Sequence, residues 1–356
     1  MTRFAAAALI AVLLVTSARA EPIPGVPIPS VPEDSSIAGA APPQLPSHFD
    51  LRREDIRSFI SMMVKNHGFE RTALTALLAG AEHQPKILDA IARPAEKVMP
   101  WWQYRAKFLT SQRIRDGYAF LQEHREQLAK VQAATGVPAE YVVAILGVES
   151  FYGRITGHWK VLDALMTLGF DYPPRSSFFR AELETFLVLA REQGFAADSA
   201  RGSYAGAMGP PQFMPSSWQR YGVDGGKDGK SDLLSDWDDV IASVAHYFQA
   251  NGWKRGATVL IEATAPPELA ERLDSRNLEL NETLGSLRAR GVKFNSAIAE
   301  DAAAILLPAE LSTGLSVRIG LHNFMVITRY NRSIRYAMAA HDLAQEIAAL
   351  GYAPEN

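Results

Sequence analysis

The 356-residue chain contains no cysteine, so it can form neither a disulfide nor a thiolate metal site. It also lacks the cysteine that a lipid-anchored bacterial envelope protein carries at its cleavage site. A basic excess is missing too: the formal net charge is −3, which argues against a nucleic-acid binder. His246 and His322 have no metal-ligand spacing around them, and Ser216 and Ser217 have no G-x-S-x-G elbow. A zinc enzyme and a serine hydrolase are therefore both disfavoured. Charged residues make up 21% and hydrophobic ones 47%, a balance that places the chain among ordinary globular proteins able to bury a substantial core.

What is present begins with a leader pattern. Arg3 provides a short basic start, residues 5–15 are uninterruptedly apolar, and Ala18-Arg-Ala20 has the small-residue spacing of a cleavage site before Glu21. The run is too short for a comfortable membrane span, so the expectation is a secretory signal peptide over 1–20 and an exported, periplasmic mature chain without a transmembrane segment. Residues 21–48 hold Pro22, Pro24, Pro27, Pro29, Pro32, Pro42, Pro43 and Pro46 with few large apolar side chains, the composition of an extended linker.

From Leu51 the pattern turns helical. Leu51, Ile56, Phe59, Ile60 and Met63 form one stripe, a second stretch runs from Phe69 to about Pro94, and a third starts at Thr110-Ser111 and stops at Gly136. Pro138 suits the first turn of the next helix. After Trp253 residues 258–264 and 316–319 look like strands, with amphipathic stretches at about 266–290 and 295–303 between them. Residues 323–328 suit strand or helix, and 333–350 are helical. The fold class expected is α+β and predominantly helical, with an N-terminal helical region over 49–135, a core built from 136–255 and 319–356, and a small inserted α/β subdomain over 256–318.

Two features carry chemistry. Glu149 ends an apolar segment in which Val142, Ile145 and Leu146 lie on its own helical face. A carboxyl group on such a face is costly unless it is paired, hydrogen-bonded or protonated, and a raised pKa suits a general acid. A structural ion pair is the competing explanation. The loop from Gly202 to Ser217 combines closely spaced glycines and prolines with the uncharged donors and acceptors of Ser203, Tyr204 and Gln212. Such a surface suits sugar hydroxyls, and a purely structural loop explains it equally well. Trp101, Trp102 and Trp159 are either sugar platforms or core.

Taken together, these features resemble the membrane-bound lytic murein transglycosylase B family, as a soluble, non-lipidated member. The blocks that carry the resemblance are Tyr104-Arg-Ala-Lys-Phe108, Ile145-Leu-Gly-Val-Glu-Ser150, Leu162-Asp-Ala-Leu-Met-Thr-Leu168 with Tyr172-Pro-Pro-Arg175, and Glu182-Leu-Glu-Thr-Phe-Leu187. They continue through Ser203-Tyr-Ala-Gly-Ala-Met-Gly209, Gln212-Phe-Met-Pro-Ser-Ser217 and Thr328-Arg-Tyr-Asn-Arg-Ser333, in order over almost all of residues 50–352. The resemblance implies a lysozyme-like core, with Glu149 as the only catalytic acid/base. It places Ser203, Gln212, Tyr247, Tyr330, Asn331 and Tyr336 along a sugar-binding cleft, with Tyr104 and Arg175 as further contacts. Pro174 departs from the family, which often has a second arginine there, so one contact to the anionic part of the substrate is expected to be missing.

The implied reaction is cleavage of the β-1,4 bond between N-acetylmuramic acid and N-acetylglucosamine in peptidoglycan, with formation of a 1,6-anhydromuramyl end. Partners would be glycan strands and other cell-wall enzymes. Alternatives are a hydrolytic muramidase of the same fold and a non-catalytic peptidoglycan-binding scaffold. Asp163 and Asp171 are the candidates for a second carboxylate, each in a segment that reads equally well as a helix or turn feature. No cofactor is required. Asp224 to Asp232 resembles the start of an EF-hand loop, with oxygen donors from Asp224, Asp228 and the Lys230 carbonyl, and Gly229 at the turn. Gly226 and Ser235 leave two ligand positions empty, and in the family Asp239, with Asp238 as the alternative, would close an extended loop. A weak structural calcium site and a solvated turn are the two readings.

Overall fold

A computed structural model describes residues 47–92, 99–274 and 276–351. The leader and nearly all of the proline-rich segment lie outside the described residues. Helix α1 (Glu54–His67) buries Ile56, Phe59, Ile60 and Met63, the stripe read from the sequence. Acidic residues open it and basic ones close it, which complements the helix dipole. The stretch expected to run from Phe69 to Pro94 divides into α2 (Arg71–Ala79) and α3 (Pro85–Ala92). Pro85 disfavours a helical conformation at Gln84. The intervening segment instead lies along a later helix, where Glu82 donates its N–H to Asp163 and Gln84 donates its N–H to the Thr167 hydroxyl.

Helix α4 (Trp101–Phe108) precedes α5 (Ser111–Glu123) and α6 (Arg125–Thr135), which the sequence pattern reads as one helix. They break at His124, whose ring is buried against Phe120 at 4.3 Å and Trp237 at 5.5 Å. Gly136 then stops α6 in the left-handed conformation, and α7 (Ala139–Ser150) leaves at 114° to it. Every side chain of α7 from Tyr141 to Gly147 is buried, because α5, α6, α11 and α15 surround it. An all-round apolar surface is what such a central helix needs.

A two-stranded ribbon pairs β1 (Trp159–Lys160) with β2 (Arg201–Gly202) and brackets α8 (Val161–Asp171) and α9 (Ser176–Gln193). Beyond it come α10 (Pro215–Tyr221) and α11 (Trp237–Ala250). Strands β3 (Leu260–Ala263), β4 (Glu282–Thr283), β5 (Ala303–Pro308) and β6 (Val317–Gly320) form an antiparallel sheet of order β3-β6-β5-β4. The sheet packs with the short α12 (Pro267–Ala270) and α13 (Leu284–Ala289) around its own cluster, which includes Ile261, Leu284, Leu287, Leu306 and Ile319. Strand β5 was not among the elements expected from the sequence. It lies between β4 and β6 and is buried along most of its length, so its apolar run does not alternate. Residues 322–330 form α14 (His322–Tyr330), and α15 (Ile334–Gly351) closes the core. Among the described residues no single helix is long and apolar enough to cross a membrane.

Two glycines admit a key side chain. The Tyr152 ring lies between α5 and α7, where a Cβ on Gly117 would come 2.3 Å from its hydroxyl and one on Gly147 2.6 Å from it. Gly117→Ala would also meet Ile347 at 2.5 Å, so the expected cost is about 1–3 kcal/mol of stability. A urea midpoint for Gly117→Ala equal to that of the wild type would contradict this packing.

Candidate active site

Glu149 stands at the last turn of α7, partly open to solvent but closely surrounded by protein. Tyr336, buried on α15, donates its hydroxyl to Glu149 Oε1 at 2.6 Å. Burial pushes the carboxyl up to about 7, while the Tyr336 hydrogen bond opposes the rise by favouring the carboxylate. No lysine, arginine or histidine forms an ion pair with it among the described residues. The structural ion pair is thus not what keeps a carboxyl here.

A cluster of tyrosines encloses the group. Tyr247 and Tyr330 pack ring to ring at 4.7 Å, and Phe213 touches both at 5.7 Å. Their hydroxyls donate to backbone carbonyls, Tyr247 to Arg329 and Tyr330 to Pro211, at 2.6 and 2.7 Å. Burial raises the pKa of Tyr247, Tyr330 and Tyr336, and negative charge on Glu149 adds to the rise. Tyr104 lies half-buried on α4, stacked with Trp101 at 6.3 Å, and is close enough to act electrostatically on Tyr336.

The loop from Gly202 to Ser217 is held by its own polar groups. The Ser203 hydroxyl accepts from the N–H groups of Ala205 and Ala207, at 3.3 and 3.1 Å. Gln212 has φ 50°, and its Nε2 donates to the carbonyls of Thr156 and Gly209, both at 2.9 Å. Gln212 therefore secures the loop with its amide nitrogen. Gly209 is required, since a Cβ there would fall 2.0 Å from the Leu233 carbonyl. Ser150, next to Glu149, donates to the Pro210 carbonyl at 2.7 Å and so bonds α7 to this loop. The sequence pattern did not single out Ser150; its position beside Glu149 was the only signal.

Asn331 follows α14 with its Oδ1 buried and without a hydrogen-bond partner among the described residues. Arg175 ends a 3-10 turn, with its guanidinium over Phe178 at 4.4 Å and Phe179 at 5.2 Å. Its charge also bears on Glu182 and Tyr204. Pro174 is exposed in the same turn. The two candidate second carboxylates are engaged elsewhere. Asp163 accepts from Glu82 and Gln84, and Asp171 pairs with Arg53 at 2.7 Å and His83 at 2.9 Å. Trp101 is buried, Trp159 half-buried on β1 and Trp102 exposed.

The acidic loop closes on backbone donors. Asp224 accepts from Asp228 and Gly229 N–H, Asp228 from Lys230 N–H, and buried Asp239 from Gly225, Gly226 and Asp232 N–H. No three acidic or histidine side chains converge as a metal cage among the described residues.

Residues 52–345 match the family described as "Transglycosylase SLT domain". The chain is 39% identical over 308 residues to membrane-bound lytic murein transglycosylase B of Escherichia coli (strain K12), covering 82% of each protein. It is similar to soluble lytic transglycosylase SltB1 from Pseudomonas aeruginosa, with 46% identity and a TM-score of 0.80 over 84% of this chain and 100% of that one. The Escherichia coli lytic transglycosylase Slt35, solved in complex with calcium, gives 37% identity and a TM-score of 0.79 over 85% and 96%. SltB3 from Pseudomonas aeruginosa, solved with NAG-anhNAM-pentapeptide, gives 31% identity and a TM-score of 0.73 over 83% and 79%.

The raised pKa of Glu149 has a consequence for stability. A carboxyl that holds its proton to about 7 when folded contributes stability fully below its unfolded pKa, and loses it as pH rises through the folded value. The span corresponds to on the order of 3 kcal/mol. Glu149→Gln, which cannot ionise, is expected to unfold close to the wild type at pH ~5 and several °C above it at pH ~8. Parallel melting curves across that range would show the burial penalty to be absent.

Proposed function

The chain belongs to the transglycosylase SLT-domain family and is a lytic murein transglycosylase acting on peptidoglycan, and from that premise we propose that Glu149 performs the whole reaction as a single acid and base. The observation that carries this reading is a carboxyl bonded to Tyr336 and raised to about 7, with no second carboxylate among the described residues bearing on its ionisation. A hydrolysing glycosidase ordinarily needs two carboxyl groups. A reaction in which the sugar supplies its own nucleophile needs one.

Protonated Glu149 gives its proton to the glycosidic oxygen between N-acetylmuramic acid and N-acetylglucosamine, and the C1–O bond breaks. The substrate's N-acetyl oxygen stabilises the electron-poor C1. The Glu149 carboxylate then takes the proton of the muramyl C6 hydroxyl as that oxygen bonds to C1. The proton balance closes, no water is consumed, and the product is a 1,6-anhydromuramyl end. Holding the C6 hydroxyl near C1 makes the second step intramolecular. Tyr336 stabilises the carboxylate between the two steps through its 2.6 Å hydrogen bond.

The unpartnered Oδ1 of Asn331 suits the N–H of an N-acetyl group, since an acceptor buried without a donor is costly until a ligand fills it. Ser203, Gln212, Tyr247 and Tyr330 shape the neighbouring wall, Tyr104 extends it from α4, and Arg175 provides positive charge for the anionic lactyl-peptide portion. Peptidoglycan as substrate places the enzyme in the periplasm or wall space, and the leader pattern of the first twenty residues supports periplasmic export. Any calcium taken up near Asp224, Asp228, Lys230 and Asp239 would be structural, with no step of the reaction passing through it.

Digestion of purified sacculi should release products lighter by one water than those of a hydrolysing muramidase, as read by mass spectrometry. Glu149→Gln should lower release by roughly 10²–10⁴-fold. Full-mass reducing ends would establish hydrolysis instead, and undiminished release by the variant would remove Glu149 from the chemistry. The rate should fall as pH rises through about 7, because the acid must be protonated. Tyr336→Phe removes a donor that favours the carboxylate, so the fall should move to higher pH. A chelator should leave muropeptide release unchanged.

A further inference from the structure

Glu149 is followed by backbone that side chains rarely adopt: Phe151 and Tyr152 have φ of 52° and 59°. Both residues are gripped by α5. Tyr152 enters the slot between Gly117 and Gly147 and donates its hydroxyl to the Arg113 carbonyl at 2.8 Å. The Phe151 ring lies under two guanidinium groups, Arg113 at 4.9 Å and Arg154 at 5.0 Å. Arg113 also covers Phe108 at 5.3 Å and donates from Nη1 to the carbonyls of Lys107 and Phe108 at 2.7 and 3.2 Å. Arg154 is held in turn by an ion pair with Asp116.

Arg113 is a costly residue to place there. Its burial disfavours the charged form, and its Nε is buried without a hydrogen-bond partner among the described residues. The strip it grips reaches both halves of the site. Ser150 binds the Pro210 carbonyl, and the Thr156 carbonyl accepts from Gln212, so residues 150–156 connect Glu149 to the glycine-proline loop.

We propose that Arg113 is a positioning residue for the transglycosylase reaction: acting through Phe151 and Tyr152, it holds the end of α7 in the register that aims Glu149 at the scissile bond. This rests on the reading of Glu149 as the acid and base. In this role Arg113 acts on where the carboxyl stands and not on the substrate itself. Misplacement of a reacting group by about 1 Å is enough to cost about 10²-fold in rate.

The test compares Phe151→Gly, Arg113→Met and Arg113→Lys with the wild type and Glu149→Gln, measuring kcat and KM on one preparation of glycan strands across pH, together with melting temperature. Glycine adopts the left-handed conformation without strain, so Phe151→Gly should melt within a few degrees of the wild type. Its kcat should nevertheless fall at least about tenfold with KM changed less than about twofold. The alkaline limb should move to lower pH, because a loosened carboxyl gains solvent. Arg113→Met should behave alike in kcat and pH profile, and Arg113→Lys should recover part of the rate by keeping a cation over the rings. Unchanged kcat and pH profile in Phe151→Gly and Arg113→Met would overturn the proposal, as would losses that only follow the fraction of folded protein. An active Glu149→Gln would instead defeat the underlying reading of Glu149, independently of the clamp.

Discussion

The hydroxyl that Tyr336 donates to Glu149 bridges 187 positions of sequence and joins α15 to the last turn of α7. The two helices form one of the main interfaces of the core, and both bury most of their side chains. Without the phenol, the carboxyl would face its apolar surroundings with no donor among the described residues, and ionisation would be harder still. With a lysine or arginine in its place, the pKa would fall and the proton would be lost near neutral pH. A neutral donor satisfies one oxygen without a compensating charge. It leaves burial as the dominant influence, and that combination keeps an acid poised near 7.

The inserted sheet is tied to the same helix by charge. Asp342 on α15 accepts from Arg105 on α4 at 2.7 Å and from Arg318 on β6 at 2.8 Å. Arg318 also lies 5.7 Å from the Trp101 ring and pairs with Glu262 on β3. A largely buried carboxylate with two arginines is weak evidence for stability, because desolvation offsets much of the attraction. It is better evidence for orientation: the bonds fix α4, and with it Tyr104, against the helix that carries Tyr336. In the same region the backbone N–H groups of Trp101 and Trp102 donate to Glu310, just beyond β5.

The fold was legible wherever local signals and packing agreed. The α1 stripe, the Gly136 stop and the strands near 260 and 318 follow from periodicity and turn residues alone. The sequence misled where tertiary contacts overrode a continuous pattern. His124 breaks a helix because its ring is drawn into an aromatic pocket, and Pro85 restarts one after a segment that bonds to α8. Strand β5 escaped notice because a buried strand without alternation cannot be told from helix over so short a run.

For the site, residue type and helical spacing were enough to single out Glu149 as the one acid on an apolar face, and composition the glycine-proline loop, while the tyrosines of the last two helices were marked only by the family resemblance. It left open an ion pair, a second carboxylate and a calcium loop. Those depend on which groups converge in space, which only the tertiary structure shows. Asp163 and Asp171 are engaged by Arg53 and by the segment between α2 and α3, and the Asp224–Asp239 carboxylates by their own backbone. The partner of Glu149 turned out to be a phenol. Local sequence sets what a segment prefers, but a pKa depends on desolvation and on donors from elements far apart in the chain, and those exist only once the core has closed.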